Sequence, residues 1–304
     1  MILVAGGTGI LGRDLVPRLV ARGQGVRIVA RHPAMAATDA GIGTVETRIG
    51  DIRDTATCAA ALEGVDTVVS AITGFGGRDA LGTRAVDRDA NVRLIEAAGR
   101  SGVRHVILLS VHQAAPDHPI ELFRDKWVAE EALRGSGMDW TIVRPTAYLE
   151  RWLDIIGAPL ARTGKTRIFG SGRNPINFVS AADVAQVVEL ATIDPGLRGV
   201  AIEFPGPEDL TLDQLADEVE SVLGRSGRRQ YLSPMMLRVA SLVTKVVSPV
   251  LSSQIATALV MDARDMTVDG PGIRARYPSI PMTTATDVAR RLFGSTVTAE
   301  ATAR

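Results

Sequence analysis

Met1-Ile2-Leu3-Val4-Ala5 is an apolar run that passes directly into Gly6-Gly7-Thr8-Gly9-Ile10-Leu11-Gly12. A short strand, a glycine turn and then a helix is the order that the pyrophosphate of a dinucleotide needs. The first glycine permits the tight turn, and the second lets backbone N–H groups approach phosphate oxygens. The last brings the following helix close to the strand, with its positive end aimed at the anion. The spacing satisfies G-x-G-x-x-G at Gly7, Gly9 and Gly12, and G-x-x-G-x-x-G at Gly6, Gly9 and Gly12. The residues expected to touch such a cofactor are Gly6, Thr8, Gly9, Ile10, Leu11 and Gly12. The alternative is a tight strand-to-helix turn that holds no ligand.

The second strand bears on which dinucleotide. Arg13–Arg22 reads as a helix, Gly23-Gln24-Gly25 as a turn and Val26–Ala30 as a strand, followed by Arg31, His32 and Pro33. A carboxylate at the end of this strand would hold the ribose hydroxyls of NAD and repel a 2′-phosphate. A guanidinium pairs with that phosphate through charge-assisted hydrogen bonds. Arg31, with Arg13 as a second positive charge, therefore favours NADP(H) over NAD(H). The other reading of Arg31 is a solvated surface residue.

The elements that must position these residues alternate through the first half. Gly43–Arg48 reads as a third strand, and Gly50–Asp54 turns into a helix ending near Gly64. Val65–Ala71 is a fourth strand, Gly74–Gly77 a loop, and Ala85–Arg100 a helix. Val103–Leu109 is a fifth strand ending at Ser110, Leu122–Arg134 a helix, and Trp140–Val143 a sixth strand closed by Arg144-Pro145. Strands alternating with helices across short connections predict an α/β fold, a doubly wound parallel sheet of Rossmann type. Past Glu150 the order changes. Ile176–Val179 and Val200–Phe204 read as strands around a helix with a capping box at Ser180 and Asp183. Thr211 with Gln214 starts another helix in the same way. Residues 205–207 and 269–272 read as loops, and residues 294–304 as a frayed end. The reading assigns 1–150 plus about 176–204 to the dinucleotide-binding domain, and about 151–175 and 205–304 to a smaller, interleaved C-terminal substrate lobe.

With 304 residues and a formal net charge of zero, the chain carries no whole-molecule attraction for nucleic acid or an anionic membrane. The basic run Gly224–Arg229 reads as solvated loop. The single cysteine, Cys58, excludes an internal disulfide and a cysteine-based metal cluster, and no metal site is expected. It reads as buried packing in a helix. No charged segment precedes the first strand, so a cytoplasmic location is expected. Arg238, Lys245 and Pro249 interrupt the apolar stretch Met235–Val260, which therefore reads as two amphipathic helices rather than a membrane span. These helices would cover a pocket or meet a partner, either a second copy or another protein.

Together, Gly6–Gly12, Val26–Pro33, Gly50–Asp54, Val68–Thr73, Asn91–Ser110, Lys126–Pro145 and Ile176–Ala185 resemble the atypical and extended short-chain dehydrogenase/reductases. The similarity is greatest to the NmrA-like and isoflavone-reductase-like branch. The resemblance implies that Asp51 and Ile52 hold and cover the adenine, and that Ala71, Ile72 and Thr73 lie along a ribose. It implies that Ser110 stands near the substrate carbonyl and that Lys126 binds the nicotinamide ribose. Pro145, Thr146 and Ala147 would form the turn beside the nicotinamide amide. Asn91 faces the site in such proteins, and here it reads as structural.

The chain departs from the family at the catalytic pair Tyr-x-x-x-Lys. Four residues before Lys126 stands Leu122, which cannot donate a proton. Phe123-Arg124-Asp125-Lys126 instead resembles the Phe-x-x-Lys form of the isoflavone-reductase-like branch, in which the lysine itself is implicated. His112 and His118, just after Ser110, could supply a proton; otherwise both are exposed loop histidines. Tyr148 and Trp152 either line a pocket or serve as core aromatics. Lys126 otherwise forms an exposed i,i+4 pair with Glu130. Two functions follow. One is an NADP(H)-dependent reductase that passes hydride to a small acceptor needing little acid assistance, a quinone or conjugated enone. The other is a non-catalytic NADP(H)-binding sensor or accessory subunit.

Overall fold

A computed structural model describes residues 1–31, 45–75, 82–247 and 249–302. His32, Pro33, Gly43, Gly76 and Gly77, singled out in the sequence, lie outside the described residues, as do the side chains of Lys245 and Pro249. The chain forms two compact units. One comprises Met1–Pro145 with Val184–Glu203, and the other Thr146–Asp183 with Phe204–Arg304. The sequence grouping had placed Ile176–Val179 with the first unit; by contacts it belongs to the second.

The first unit is built on β1 (Ile2–Ala5), β2 (Val26–Ala30), β3 (Val45–Ile49), β4 (Thr67–Ser70), β5 (His105–Leu109), β6 (Asp139–Pro145) and β10 (Val200–Phe204). They form a seven-stranded sheet in the order β10-β6-β5-β4-β1-β2-β3. The pairs from β3 through β6 are all parallel. Strand order reverses at β1 and β4, the crevice where open α/β sheets bind ligands. All residues of β1, β2 and β5 are buried, as expected for strands covered by helices on both faces. On one face Leu3 and Val68 pack with Leu62, Leu94, Ala129 and Leu133 of three helices, in a core that includes Cys58.

The helix after the turn is Ile10–Ala21, three residues earlier than the sequence reading, because Gly9 already serves as its N-cap. Asp54 caps Thr55–Leu62 by accepting the N–H of Thr57 at 2.8 Å. The expected helix Ala85–Arg100 has two parts, a π-helical segment Arg84–Ala90 and an α-helix Asn91–Arg100. A π segment inside a helix often marks a functional site. Asn91 is fully buried at the join. Its amide donates to the carbonyls of Val86 and Asp87 and accepts from Ser70.

In the second unit β7 (Ala147–Tyr148), β9 (Ile176–Val179) and β11 (Glu208–Leu210) form one small sheet. β8 (Lys165–Phe169) pairs with β12 (Arg228–Leu232) in another. The capping box at Thr211 and Gln214 forms as read. The one at Ser180 and Asp183 does not. The Asp183 carboxylate is taken by the fully buried Arg274 at 3.1 Å and by Thr283, and Glu150 caps the helix instead through the N–H of Ala181 at 2.8 Å. Residues 270–274, read as loop, form a short helix capped by Asp269. The last helix runs Ala285–Thr302 rather than stopping at Gly294. Arg229, read as solvated, is half-buried among Asp213, Asp217 and Glu220. The stretch from Met235 forms two helices, Pro234–Val247 and Pro249–Ala263. Among the described residues no helix is long and apolar enough to cross a membrane.

Candidate active site

The glycine turn is held by contacts that leave no room for a side chain at two points. Gly6 has φ +91°, and a Cβ there would lie 2.6 Å from the carbonyl oxygen of Ala71. A Cβ on Gly12 would lie 2.4 Å from both the carbonyl carbon and the oxygen of Gly7. The helix start is thus pressed against the turn, and the turn against the chain leaving β4. No side chain caps the helix, and its first turn contains no acidic residue. Its first N–H groups have no partner within the helix, so the turn suits an anion such as a pyrophosphate. Gly9 and Ile10 are exposed there and Thr8 is half-buried. Leu11 is buried, so only its backbone can face a ligand.

The other implied cofactor residues of this unit divide between the turn and its flank. Ala71 donates its N–H to Ala5 at 2.8 Å, which holds residues 71–73 beside the glycines. Ile72 packs on the core, and the exposed Thr73 accepts the N–H of Phe75 at 3.1 Å. Arg31 is exposed at the end of β2. Asp51 is not a bare carboxylate. Arg53 binds it through Nε at 2.8 Å and its own N–H at 2.9 Å, and holds the carboxyl below the usual range. Ile52 lies against the core. Pro145 ends β6, and its carbonyl accepts the N–H of His112 at 2.9 Å. Thr146 and Ala147 fall in the second unit. There Thr146 donates its hydroxyl to Asn177 at 2.9 Å, and Ala147 pairs with Phe178.

Lys126 is not an exposed partner of Glu130. It is buried, with Nζ 3.1 Å from Asp87 Oδ1 and 3.0 Å from the carbonyl oxygen of Ile72. Asp87 is fully buried in the π segment, and its other oxygen accepts the N–H of Gly74 at 2.8 Å. Lys126 thus ties the helix Glu121–Arg134 to the chain leaving β4. An ammonium has three N–H groups. One is donated to Ile72; the Asp87 contact is an ion pair in which Oδ1 accepts no hydrogen bond, and no other described residue bonds Nζ.

Glu130 is fully buried and serves a different network. It accepts the Ser110 hydroxyl, Arg134 at 2.9 Å, and Arg144 at 2.9 and 2.6 Å. Arg144 continues to Glu203 at 2.9 Å, and Glu203 meets His112 Nδ1 at 2.7 Å. Burial alone would raise the Glu203 carboxyl, but His112 and Arg144 outweigh it and hold it below the usual range. Chiefly through Glu130, the Arg144 guanidinium is held firmly protonated. His118 is buried rather than exposed. It stacks on Phe123 at 4.1 Å, and its Nδ1 accepts the N–H of Ile120. In the second unit Trp152 is buried beside Phe178 and lines a small apolar hollow with Phe169, Ile176 and Met261. Burial pushes the Tyr148 phenol above its ordinary value, with Glu150 adding to the effect.

The sequence reading missed Asp87, Arg144 and Glu203, and took Glu130 only as a surface partner. The three missed residues meet their partners across long sequence separations, so no local spacing marks them. Among the described residues no cluster of metal-ligating side chains occurs.

Residues 6–195 match the NAD(P)H-binding family. The chain is 34% identical over 259 residues to (4-alkanoyl-5-oxo-2,5-dihydrofuran-3-yl)methyl phosphate reductase of Streptomyces griseus subsp. griseus, covering 85% of this chain and 86% of that protein. It is 31% identical to an NAD(P)H azoreductase of Xenophilus azovorans over 75% of this chain and 76% of that one. The structure of an NADPH-dependent quinone oxidoreductase from Escherichia coli, complexed with NADPH, has the same fold. Its TM-score is 0.76 and its identity 23%, over 96% of this chain and 100% of that one. The uncapped glycine turn against β4 and the family match agree, and the chain belongs to the NAD(P)H-binding family, with the Rossmann fold.

Proposed function

We propose that the protein is an NADPH-dependent reductase whose acceptor is a quinone or a conjugated enone. One observation carries the reading: an uncapped, acid-free helix start packed against β1 and β4, with Lys126 anchored to Ile72 beside it. Two relatives above 30% identity, those of Streptomyces griseus and Xenophilus azovorans, are named as reductases, which supports an oxidoreductase. When bound, NADPH supplies a hydride from its nicotinamide. The backbone N–H groups from Thr8 to Gly12 bind the pyrophosphate, and Arg31 pairs with the 2′-phosphate. Arg53 offsets the charge of Asp51, so this carboxylate does not oppose the phosphate as a bare anion. An N–H of Lys126 not donated to Ile72 orients a ribose hydroxyl.

The acceptor class follows from what is missing. Leu122 stands where the family keeps a tyrosine, so acceptors that stabilise the added charge on their own are favoured. The named substrate of the Streptomyces griseus enzyme, an unsaturated five-membered ring carrying two carbonyl groups, is of this kind. The test is NADPH oxidation by purified protein with menadione and with 2-cyclohexenone. Turnover with either is expected. Tight NADPH binding with no turnover on a broad acceptor panel would overturn the reductase reading in favour of a cofactor-sensing protein.

A further inference from the structure

We propose that His112 is the proton donor to the reduced acceptor and that Glu203 positions it for that step; the proposal rests on the reductase reading above. β5 ends at Leu109, and His112 lies three residues beyond, at the carboxyl edge of the sheet where ligands of this fold sit. The loop there is held in place. Ser110 donates its N–H to Val143 at 2.8 Å and His112 to Pro145 at 2.9 Å, so the chain stays alongside β6. Gln113, the next residue, has φ 62°. It is the sole non-glycine residue in the left-handed region among the described residues. Such conformations persist where the surroundings enforce them, and they cluster at functional sites.

The ring of His112 is oriented from one side only. Glu203 Oε2 lies 2.7 Å from Nδ1. A carboxylate can only accept, so Nδ1 carries a proton in this pair and the second ring nitrogen, Nε2, is the one that can exchange. No described residue bonds Nε2, and the side chain is 23% exposed. The charged groups that face this pair are fixed. Arg144 of β6 holds the other oxygen of Glu203, and Glu130 of the helix Glu121–Arg134 holds Arg144.

The competing donors are committed elsewhere. The Ser110 hydroxyl donates to Glu130. Loss of a proton from Lys126 would leave Asp87 buried and uncompensated. His118 is buried under Phe123. Of these groups, His112 is the one with both a ring nitrogen that no described residue bonds and access to solvent from which to recover a proton.

The step balances. Hydride addition to the β-carbon of an enone moves its π electrons onto the carbonyl oxygen. The Nε2–H bond of His112 breaks, leaving its electron pair on nitrogen, and an O–H bond forms on that oxygen. Water reprotonates the imidazole. Per turnover the acceptor gains two electrons and two hydrogens, NADPH is oxidised, and one proton comes from solvent.

The test compares wild type, His112→Gln, His112→Ala and Glu203→Gln with 2-cyclohexenone and with menadione, alongside NADPH binding by fluorescence. His112→Gln keeps a hydrogen-bond donor for Glu203 but has no exchangeable ring proton. It is expected to lower kcat for cyclohexenone by about 10²-fold and to abolish the alkaline fall of kcat, with the dissociation constant for NADPH unchanged. Added imidazole is expected to restore part of the His112→Ala rate, saturably. Glu203→Gln is expected to lower kcat less and to move the alkaline limb without removing it. Wild-type kcat and pH profile in His112→Gln would overturn the proposal, as would a loss of NADPH affinity that accounts for the whole effect, or a His112→Ala rate that imidazole leaves unmoved. A wild-type protein inert toward both acceptors fails differently, because it overturns the reductase reading itself.

Discussion

Gly9 and Gly12 lie in one turn, yet a single methyl group has different consequences at each. At Gly12 the added carbon would meet the carbonyl carbon and oxygen of Gly7 at 2.4 Å, against ordinary contact beginning near 3.4 Å. Both atoms are backbone, so relief requires the helix Ile10–Ala21 to move about 1 Å away from the turn. That helix buries Leu15, Val16, Leu19 and Val20, whose packing would loosen together. Overpacking against side chains costs about 1–3 kcal/mol, and rigid backbone puts Gly12→Ala at or above the top of that range. At Gly9 the nearest atom is the Gly6 oxygen at 3.1 Å, and φ −79°, ψ −175° suits any residue. Gly9→Ala should therefore cost less than about 1 kcal/mol of stability. Its methyl group stands at the exposed helix start, where the pyrophosphate must approach. A tenfold or greater loss of NADPH affinity is expected, equivalent to about 1.4 kcal/mol. Urea denaturation followed by circular dichroism measures the first effect, and quenching titrations with NADPH the second. A fully stable Gly12→Ala protein would refute the packing argument. A Gly9→Ala protein that binds NADPH as wild type does would refute the assignment of the turn to the phosphates.

Three further outcomes follow from buried ionisable groups. Asp87→Asn strands the Lys126 ammonium and Lys126→Met strands the Asp87 carboxylate, so each should destabilise by about 3–5 kcal/mol. The double variant should lose less than the sum of the two, as a double-mutant cycle by denaturation would read. Burial lowers His105 from 6.5 to about 4. Below the unfolded value the unfolded chain takes up a proton that the fold refuses, so stability falls as pH drops from about 6.5 toward 4 and then levels. The slope is about 1.4 kcal/mol per pH unit, and His105→Asn should remove it from denaturation curves measured between pH 7 and 5. Arg274 is fully buried, paired with Asp183 and seated 4.2 Å over the Phe204 ring. Arg274→Met should destabilise the second unit by about 3 kcal/mol or more, seen by amide exchange in the helix beginning at Ala181.

The parts of this molecule legible from sequence are those whose signal is local. The run Met1–Gly12 specifies strand, turn and helix within twelve residues, and Thr211 with Gln214 specifies a helix start within four. Several misreadings share one cause, a tertiary partner that outcompetes a sequence neighbour. Asp183 could have closed a capping box, but Arg274 and Thr283 take its carboxylate. Glu130 stands one helical turn from Lys126, yet Arg144 and Ser110 claim it, and Lys126 turns to Asp87. His118 read as an exposed loop residue, but it is buried with Phe123 stacked on it. The π segment Arg84–Ala90 has no compositional mark, because the residues that fix it include Ser70 and Gly74, outside the helix.

The central claim is that the amino-terminal turn binds a phosphorylated nicotinamide dinucleotide with Arg31 reading the extra phosphate. It is tested most directly by titrating the purified protein with NADPH and with NADH, for wild type and Arg31→Ala. The account predicts NADPH bound at least about tenfold more tightly than NADH by wild type, with the difference largely erased in Arg31→Ala. Equal affinity of wild type for both nucleotides would contradict the role of Arg31, and failure to bind either would contradict the site.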